Sequence, residues 1–285
     1  MHGHGNTGLL SLDLLAGAGV VAVACLYFGG VVAARRRGRG WPGVHAAAWV
    51  AGLGVGAAAL LGPLAEAAHD NFPAHMAGHL LIGMLAPLLL VAGAPVTLAL
   101  RALEPRQARR LSRVLRSVPV MVVSHPVSAA VLNVASLWIL YTTPLFDLMT
   151  GSPFFHLLVN VHFLLAGYLF VASLVGWDPN PHRASFPIRA GVLVAALAGH
   201  GILAKYLYAH PPTGIPVAQA QSGSMLMYYG GDLADAILIG VLCLQWYRSA
   251  GRQLARTTDA LPVSSPAPRP QNAGQRARRV ARSGV

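Results

Sequence analysis

Residues 75–100, HMAGHLLIGMLAPLLLVAGAPVTLAL, decide the fold of this protein. The stretch contains no Asp, Glu, Lys or Arg. It is long enough to cross the apolar layer of a bilayer, which takes about 20 helical residues. Comparable runs occur near 9–34, 44–64, 127–147, 154–175, 187–208 and 225–247. We therefore predict an all-α membrane protein, a bundle of about seven transmembrane helices.

The overall composition favours the same class. Hydrophobic residues make up 55% of the 285 residues and charged residues only 11%, against roughly 25% charged residues in a soluble domain. A formal net charge of +12 would suggest nucleic acid binding in a soluble chain. Here most of the basic residues lie in the loops and the C-terminal segment that flank the apolar runs, so we predict no nucleic acid partner and expect these segments to attract anionic membrane lipid.

Arginine occurs only in alternate loops of the predicted bundle. Clusters follow the first, third and seventh helices, and Arg183 and Arg189 lie between the fifth and sixth. The loops at 65–74, 148–153 and 209–224 contain neither Arg nor Lys. Because cytoplasmic loops carry the excess of basic residues, this pattern predicts an outside N-terminus and a cytoplasmic C-terminus.

Three regions are predicted along the chain. Residues 1–8 form a short outside N-terminus, 9–248 a seven-helix transmembrane domain, and 249–285 a basic cytoplasmic tail. The tail is rich in Pro, Ser and Arg, so it cannot bury a core and should be disordered. Within the third helix, Pro87 and Pro95 predict a bend, because proline removes a helix hydrogen bond.

Most of the 12 histidines map to the half of the bundle that faces the arginine-free loops. His75 and His79 are four residues apart, so their rings project from one helix face and can share a metal ion. His162 and His200 fall at similar depth in the fifth and sixth predicted helices. Isolated histidines near helix ends, such as His156, are interpreted as interfacial anchors or hydrogen-bonding core residues.

Two carboxylates lie at a comparable depth in the last predicted helix, where an ionisable group is costly and normally faces a partner or a cavity. They are open to three interpretations, as metal ligands, as partners that orient an imidazole, or as proton carriers. Several methionines lie nearby, and thioether together with imidazole favours copper, particularly Cu(I). The candidate metal ligands are His75, His79, His162, His200, Asp232 and Asp235.

Six segments follow one another in a distinctive order. They are HMAGHLLIGMLAPLLLVAGAP at 75–95, SHPVSAAVLN at 124–133, FFHLLVNVHFLLAGYLF at 154–170, GWDPNPHRASFPIR at 176–189, HGILAKYL from His200, and YYGGDLADAILIGVLCLQWY at 228–247. In these segments, over roughly 40–247, the chain resembles the polytopic CtaG family of caa3-type cytochrome c oxidase assembly factors. The resemblance implies a seven-helix protein of the bacterial inner (plasma) membrane that helps to mature the oxidase at its copper centre. The resemblance also implies functional roles for five residues, namely His75, His79, His162, His200 and Asp232.

Four functional hypotheses follow. The leading one is a non-enzymatic assembly factor that binds copper at an outward-facing histidine cluster and delivers it to terminal oxidase subunits in the membrane. The alternatives are a b-type haem membrane protein with axial histidines, a copper transporter, and a metal-free scaffold that binds the oxidase through its helix faces. We predict no enzymatic activity, because neither a nucleophile motif nor a phosphate-binding glycine loop is recognisable.

Overall fold

The computed structural model describes the backbone of residues 4–260, and the side chains of residue 12 and residues 14–252. This part of the chain is helical and contains no β-strand. In chain order the helices are α1 (His4–Arg36), α2 (Gly43–Leu60), α3 (Pro63–Asp70), α4 (Phe72–Leu80), α5 (Ala86–Ala92), α6 (Pro95–Ala102), α7 (Pro105–Leu115), α8 (Val118–Val123), α9 (Pro126–Ala130), α10 (Ser136–Thr142), α11 (Leu145–Gly151), α12 (Pro153–Leu174), α13 (Phe186–Ala209) and α14 (Val217–Ala260). Two π-helical segments, Leu81–Leu85 and Val131–Ala135, join α4 to α5 and α9 to α10.

Six helical stretches in the described part are long and apolar enough to cross a membrane. Helices suit this task because they satisfy their own backbone hydrogen bonds where no water is available. The six stretches are Leu14–Arg36, Gly43–Asp70, Phe72–Ala102, Pro153–Leu174, Phe186–Ala209 and Val217–Arg252. The predicted all-α membrane fold is therefore confirmed. The fourth predicted helix is not among these six stretches.

The fourth predicted helix, at 127–147, is a bent pair. Pro126–Thr142 and Leu145–Gly151 meet at an angle of 82°, and Thr143 between them is extended (φ −126°, ψ 169°). Pro144 explains the break, because a proline disfavours helical backbone at the residue before it. Counting this pair as one span gives seven, and the bend turns α11 and its Met149 away from the axis of α10.

The regular α-helical geometry of the third span is interrupted at two points. Pro87 has no N–H to donate to the carbonyl of Gly83, and the turn before it widens into the π segment Leu81–Leu85. Farther on, Ala94 adopts a left-handed conformation (φ 49°) and Pro95 begins α6. The two interruptions thus lie beside Pro87 and Pro95, the residues from which the sequence predicted a bend.

A carboxylate from a distant loop caps α6. Asp178 accepts hydrogen bonds from the backbone N–H of Val96 (3.1 Å) and from the N–H and hydroxyl of Thr97 (2.7 and 2.6 Å). These N–H groups have no partner within the helix, and a negative charge at a helix N-terminus is favourable. Asp178 therefore ties the loop after α12 to the end of the third span.

The chain divides into two units, Met1–Leu244 and Gln245–Val285. The first unit contains the apolar cores, one of them built around Met76, Phe163 and Leu203. The second unit contains the C-terminal part of α14, which runs to Ala260, into the region 249–285 that the sequence assigned to the tail. Residues 1–3 and 261–285 lie outside the described residues, so the predicted disorder of 261–285 stays a prediction.

Candidate metal centre

His79 and His200 meet inside the first unit, although α4 and α13 are far apart in sequence. Their ring centroids are 6.2 Å apart and their planes differ by 26°. The two residues are 8% and 7% exposed, and the Nε2 atom of each is buried without a hydrogen-bond partner. Because nearly all buried polar atoms in proteins are hydrogen-bonded, the two unpaired nitrogens make the surroundings of these neighbouring rings a candidate binding position for a ligand or an ion.

Both rings line one small cavity, which we call the His79 cavity. Its volume is about 20 Å³, and Met84, Asn133 and Asp235 contribute to its wall. One water-sized group needs roughly 10–15 Å³ by this measure, whereas sites for organic cofactors usually have about 300–1,000 Å³. The His79 cavity thus has the size of a single ion or water molecule.

Both π-helical segments contribute to the wall of the His79 cavity. The first supplies Gly83 and Met84, and the second supplies Asn133 and Val134. A π turn shifts the register of the side chains that follow it and occurs frequently at functional sites. Two such turns on different helices, bordering the same pair of unpaired imidazoles, support a functional interpretation of the cavity.

Helix α14 approaches His200 closely at Gly231. A Cβ atom at this position would lie 2.5 Å from Cε1 and 2.9 Å from Nδ1 of His200, so only glycine leaves the ring in place. One turn farther on, Asp235 lines the His79 cavity and is 6% exposed. Asp232 is exposed and near enough to interact electrostatically with His200.

The predicted ligand His75 lies one turn before His79 and has a different environment. Its Nε2 atom is 3.0 Å from the hydroxyl of Tyr141, and its ring packs against Phe72 and Phe146. His75 does not line the His79 cavity. His75 and His79 both line a neighbouring small cavity, so the expected sharing of one ion by these two residues stays a prediction.

The predicted ligand His162 lies apart from the other histidines. It is exposed on α12, where its ring contacts Phe163. Of the six predicted ligands, the structure thus brings His79, His200 and Asp235 to one cavity. Among the described residues, no three His, Cys, Asp or Glu side chains are arranged to hold a metal ion.

Sequence reasoning missed two polar residues of this region, Asn133 in the second π segment and Tyr141 at the end of α10. Asn133 carried a usable signal, because an amide inside an otherwise apolar run is costly in a membrane and tends to face the protein interior. Tyr141 carried no such signal, since tyrosine near a helix end is common at membrane interfaces.

The sequence profile of the cytochrome c oxidase caa3 assembly factor family (Caa3_CtaG) matches residues 25–249. The match includes the whole His79 cavity and covers most of the chain. The chain belongs to this family. Membership confirms the resemblance found in the segments at 75–95, 154–170 and 228–247.

Three curated relatives are uncharacterized mycobacterial proteins. Those of Mycobacterium bovis and Mycobacterium tuberculosis are each 34% identical to this family member over 265 residues, and that of Mycobacterium leprae is 31% identical over the same length. Each alignment covers 86% of this chain and 40% of the relative. The chain thus spans about two fifths of the length of these proteins. No solved structure matches it.

Proposed function

We propose that this protein assists the assembly of a caa3-type cytochrome c oxidase in the bacterial plasma membrane by binding one Cu(I) ion between His79 and His200 and passing it to an oxidase subunit. The family match supports the oxidase as the target. One observation supports the ion, namely that two buried imidazoles on different helices keep unpaired Nε2 atoms beside an ion-sized cavity.

The lining of the His79 cavity favours copper over other ions. Imidazole binds Zn and Cu, and a thioether such as that of Met84 selects Cu(I) in particular. Mg²⁺ and Ca²⁺ require about six or more oxygen ligands, which this mostly apolar cavity does not offer. The carboxylate of Asp235 would neutralise the single positive charge of Cu(I), which lowers the cost of holding the ion in a low-dielectric interior.

The small number of ligands favours transfer over permanent storage. Structural metal sites are usually closed by four protein ligands. Two imidazoles and a weak thioether leave a position at which a ligand of an acceptor protein can attach before the histidines release the ion. The histidines lie toward the arginine-free loops, which the basic-loop pattern predicts to face outside the cell.

The arginines of helix α7 support a second contact, with membrane lipid. Helix α7 (Pro105–Leu115) carries Arg106, Arg109, Arg110 and Arg113 on a segment between two spans. We propose that these arginines bind anionic headgroups on the cytoplasmic side, since basic segments beside a membrane are attracted to them by about 1 kcal/mol per residue.

The function is tested in a strain that lacks the gene and makes a caa3-type oxidase. The strain is complemented with the wild-type gene, with His79→Gln, with His200→Gln, or with the exposed control His162→Gln. We expect both cavity variants to give oxidase subunits that insert into the membrane with less than a tenth of the normal copper and cytochrome c oxidation. Excess copper in the medium should partly restore both.

The control His162→Gln should behave as the wild type. Oxidase with a full complement of copper in both cavity variants would contradict copper handling. If deletion of the gene still abolished the oxidase, that outcome would favour the metal-free scaffold.

A further inference from the structure

A second histidine cluster lies between the His79 cavity and the arginine-free loops. His69, His75 and His156 line a cavity of about 270 Å³ together with Met149 and Thr150. We call it the entrance chamber. Its residues come from α3, α4, α11 and α12, and the 82° bend after α10 precedes the helix that carries Met149.

Two imidazoles of the chamber face each other closely. The ring centroids of His69 and His156 are 5.7 Å apart and the planes differ by 33°. Nδ1 of His69 is 2.8 Å from the carbonyl oxygen of Ala65. A carbonyl can only accept, so Nδ1 carries the proton and the lone pair is on Nε2. Met149, 2% exposed, adds a thioether to these two imidazoles.

A small third cavity of about 20 Å³ has lining residues in common with both the entrance chamber and the His79 cavity. This connecting cavity shares His75, Met149 and His156 with the chamber and shares His79 with the His79 cavity. His75 and His79 are one helical turn apart, about 6 Å along the axis. The imidazoles of His156, His75, His79 and His200 thus line successive cavities from the chamber inward.

The hydrogen bond that His75 makes leaves one of its two ring nitrogens available to bind a ligand. The hydroxyl of Tyr141 is directed at the sulfur of Met76 (3.8 Å) and can therefore accept from Nε2–H of His75 at 3.0 Å. In this arrangement Nδ1 of His75 keeps a lone pair for a ligand.

We propose that the entrance chamber is a second Cu(I) site, formed by His69, His156 and Met149, from which the ion reaches His79 by way of His75. This inference rests on the proposed function. Each step exchanges one neutral ligand for another on the same ion, so no bond within the protein breaks and copper stays in the +1 state. His69 is exposed whereas His79 and His200 are buried, so the chamber should hold the ion more weakly and load first.

The chamber site is tested first in the double variant His79→Gln/His200→Gln, which lacks the inner ligands. Anaerobic titration of purified protein with Cu(I), in competition with bicinchoninate, should show about one ion bound at lower affinity than in the wild type. Adding His69→Gln and His156→Gln should abolish this binding. Adding His162→Gln instead, on the same helix as His156, should leave it unchanged.

No Cu(I) bound in the His79→Gln/His200→Gln background, or binding that survives the loss of His69 and His156, would overturn the chamber site. If the quadruple variant does not give a monodisperse protein, Met149→Leu replaces it. This substitution nearly conserves volume and should lower the affinity of the chamber at least tenfold.

The route is tested by loading kinetics in protein with an intact His79 cavity. His69→Gln/His156→Gln should slow Cu(I) uptake at least tenfold while leaving the ion finally held by His79 and His200 at the wild-type affinity. An unchanged rate would overturn the route. A protein that binds Cu(I) in the chamber and not at His79 would instead refute the proposed function and leave the chamber standing.

Discussion

The imidazole rings of His79 and His200 lie with their centroids 6.2 Å apart, one on α4 and one on α13. Metal–imidazole bonds are about 2.0–2.1 Å long, so an ion bound between two such rings holds the ligating nitrogens roughly 4 Å apart. A centroid distance of 6.2 Å is compatible with that spacing. This relationship, together with the unpaired Nε2 atoms, supports the proposed copper site.

The position of His200 depends on the missing side chain at Gly231. Gly231→Ala would place a methyl group 2.5 Å from Cε1 of His200 and displace the ring from its position beside His79. We expect Cu(I) affinity to fall at least tenfold in competition titrations. The matched control Gly240→Ala on the same helix, where a Cβ has no atom within 4 Å, should retain the wild-type affinity.

Asp235 is expected to stabilise the bound cation by its charge. Asp235→Asn keeps the size of the side chain and removes the negative charge from the wall of the His79 cavity. We predict a five- to twenty-fold weaker affinity for Cu(I), measured by the same titration. Asp147→Asn, an exposed carboxylate on α11, should have no effect, and equal affinities for all three proteins would exclude a charge contribution from Asp235.

The first π segment depends on close packing at Gly167. A Cβ on Gly167 would overlap the carbonyl of Gly83 and lie 2.9 Å from Pro87. Gly167→Ala should therefore force α12 away from the π segment and destabilise the protein by about 1–3 kcal/mol, the usual cost of overpacking. Thermal unfolding in detergent should show a lower midpoint, whereas Gly191→Ala, which meets no atom within 4 Å, should not lower it.

The cap on α6 should contribute to stability independently of copper. Asp178→Ala removes three hydrogen bonds to Val96 and Thr97, and loss of a cap costs about 0.5–2 kcal/mol. We expect a lower unfolding midpoint with unchanged Cu(I) stoichiometry. A loss of copper binding at full stability would contradict a purely structural role for Asp178.

Much of the fold could be predicted because the length of each apolar run can be read directly from the sequence. The runs at 44–64, 154–175 and 187–208 correspond to spans of the structure. The bend at Thr143 was missed although Pro144 marks it, because a proline inside an apolar run can kink a helix or end it. The sequence alone does not indicate whether the helix is kinked or ends at this proline, because that depends on the surrounding packing.

The candidate site could be predicted only in part, because depth in the membrane is readable from sequence and helix rotation is not. His79 and His200 were expected at similar depth and do meet. His162 was expected with them, yet it is six residues after His156 on α12, which places the two on different faces at about 100° per residue. Only His156 faces the chamber, and His162 is exposed.

The most direct test of the account is the copper content of purified protein after anaerobic loading with Cu(I) and desalting. When the desalting step includes enough bicinchoninate to empty the weaker entrance chamber, the wild type and His162→Gln should each retain about one copper per chain, whereas His79→Gln and His200→Gln should each retain less than a tenth of that amount. Copper retained equally by all four proteins, or by none of them, would contradict a copper site between His79 and His200.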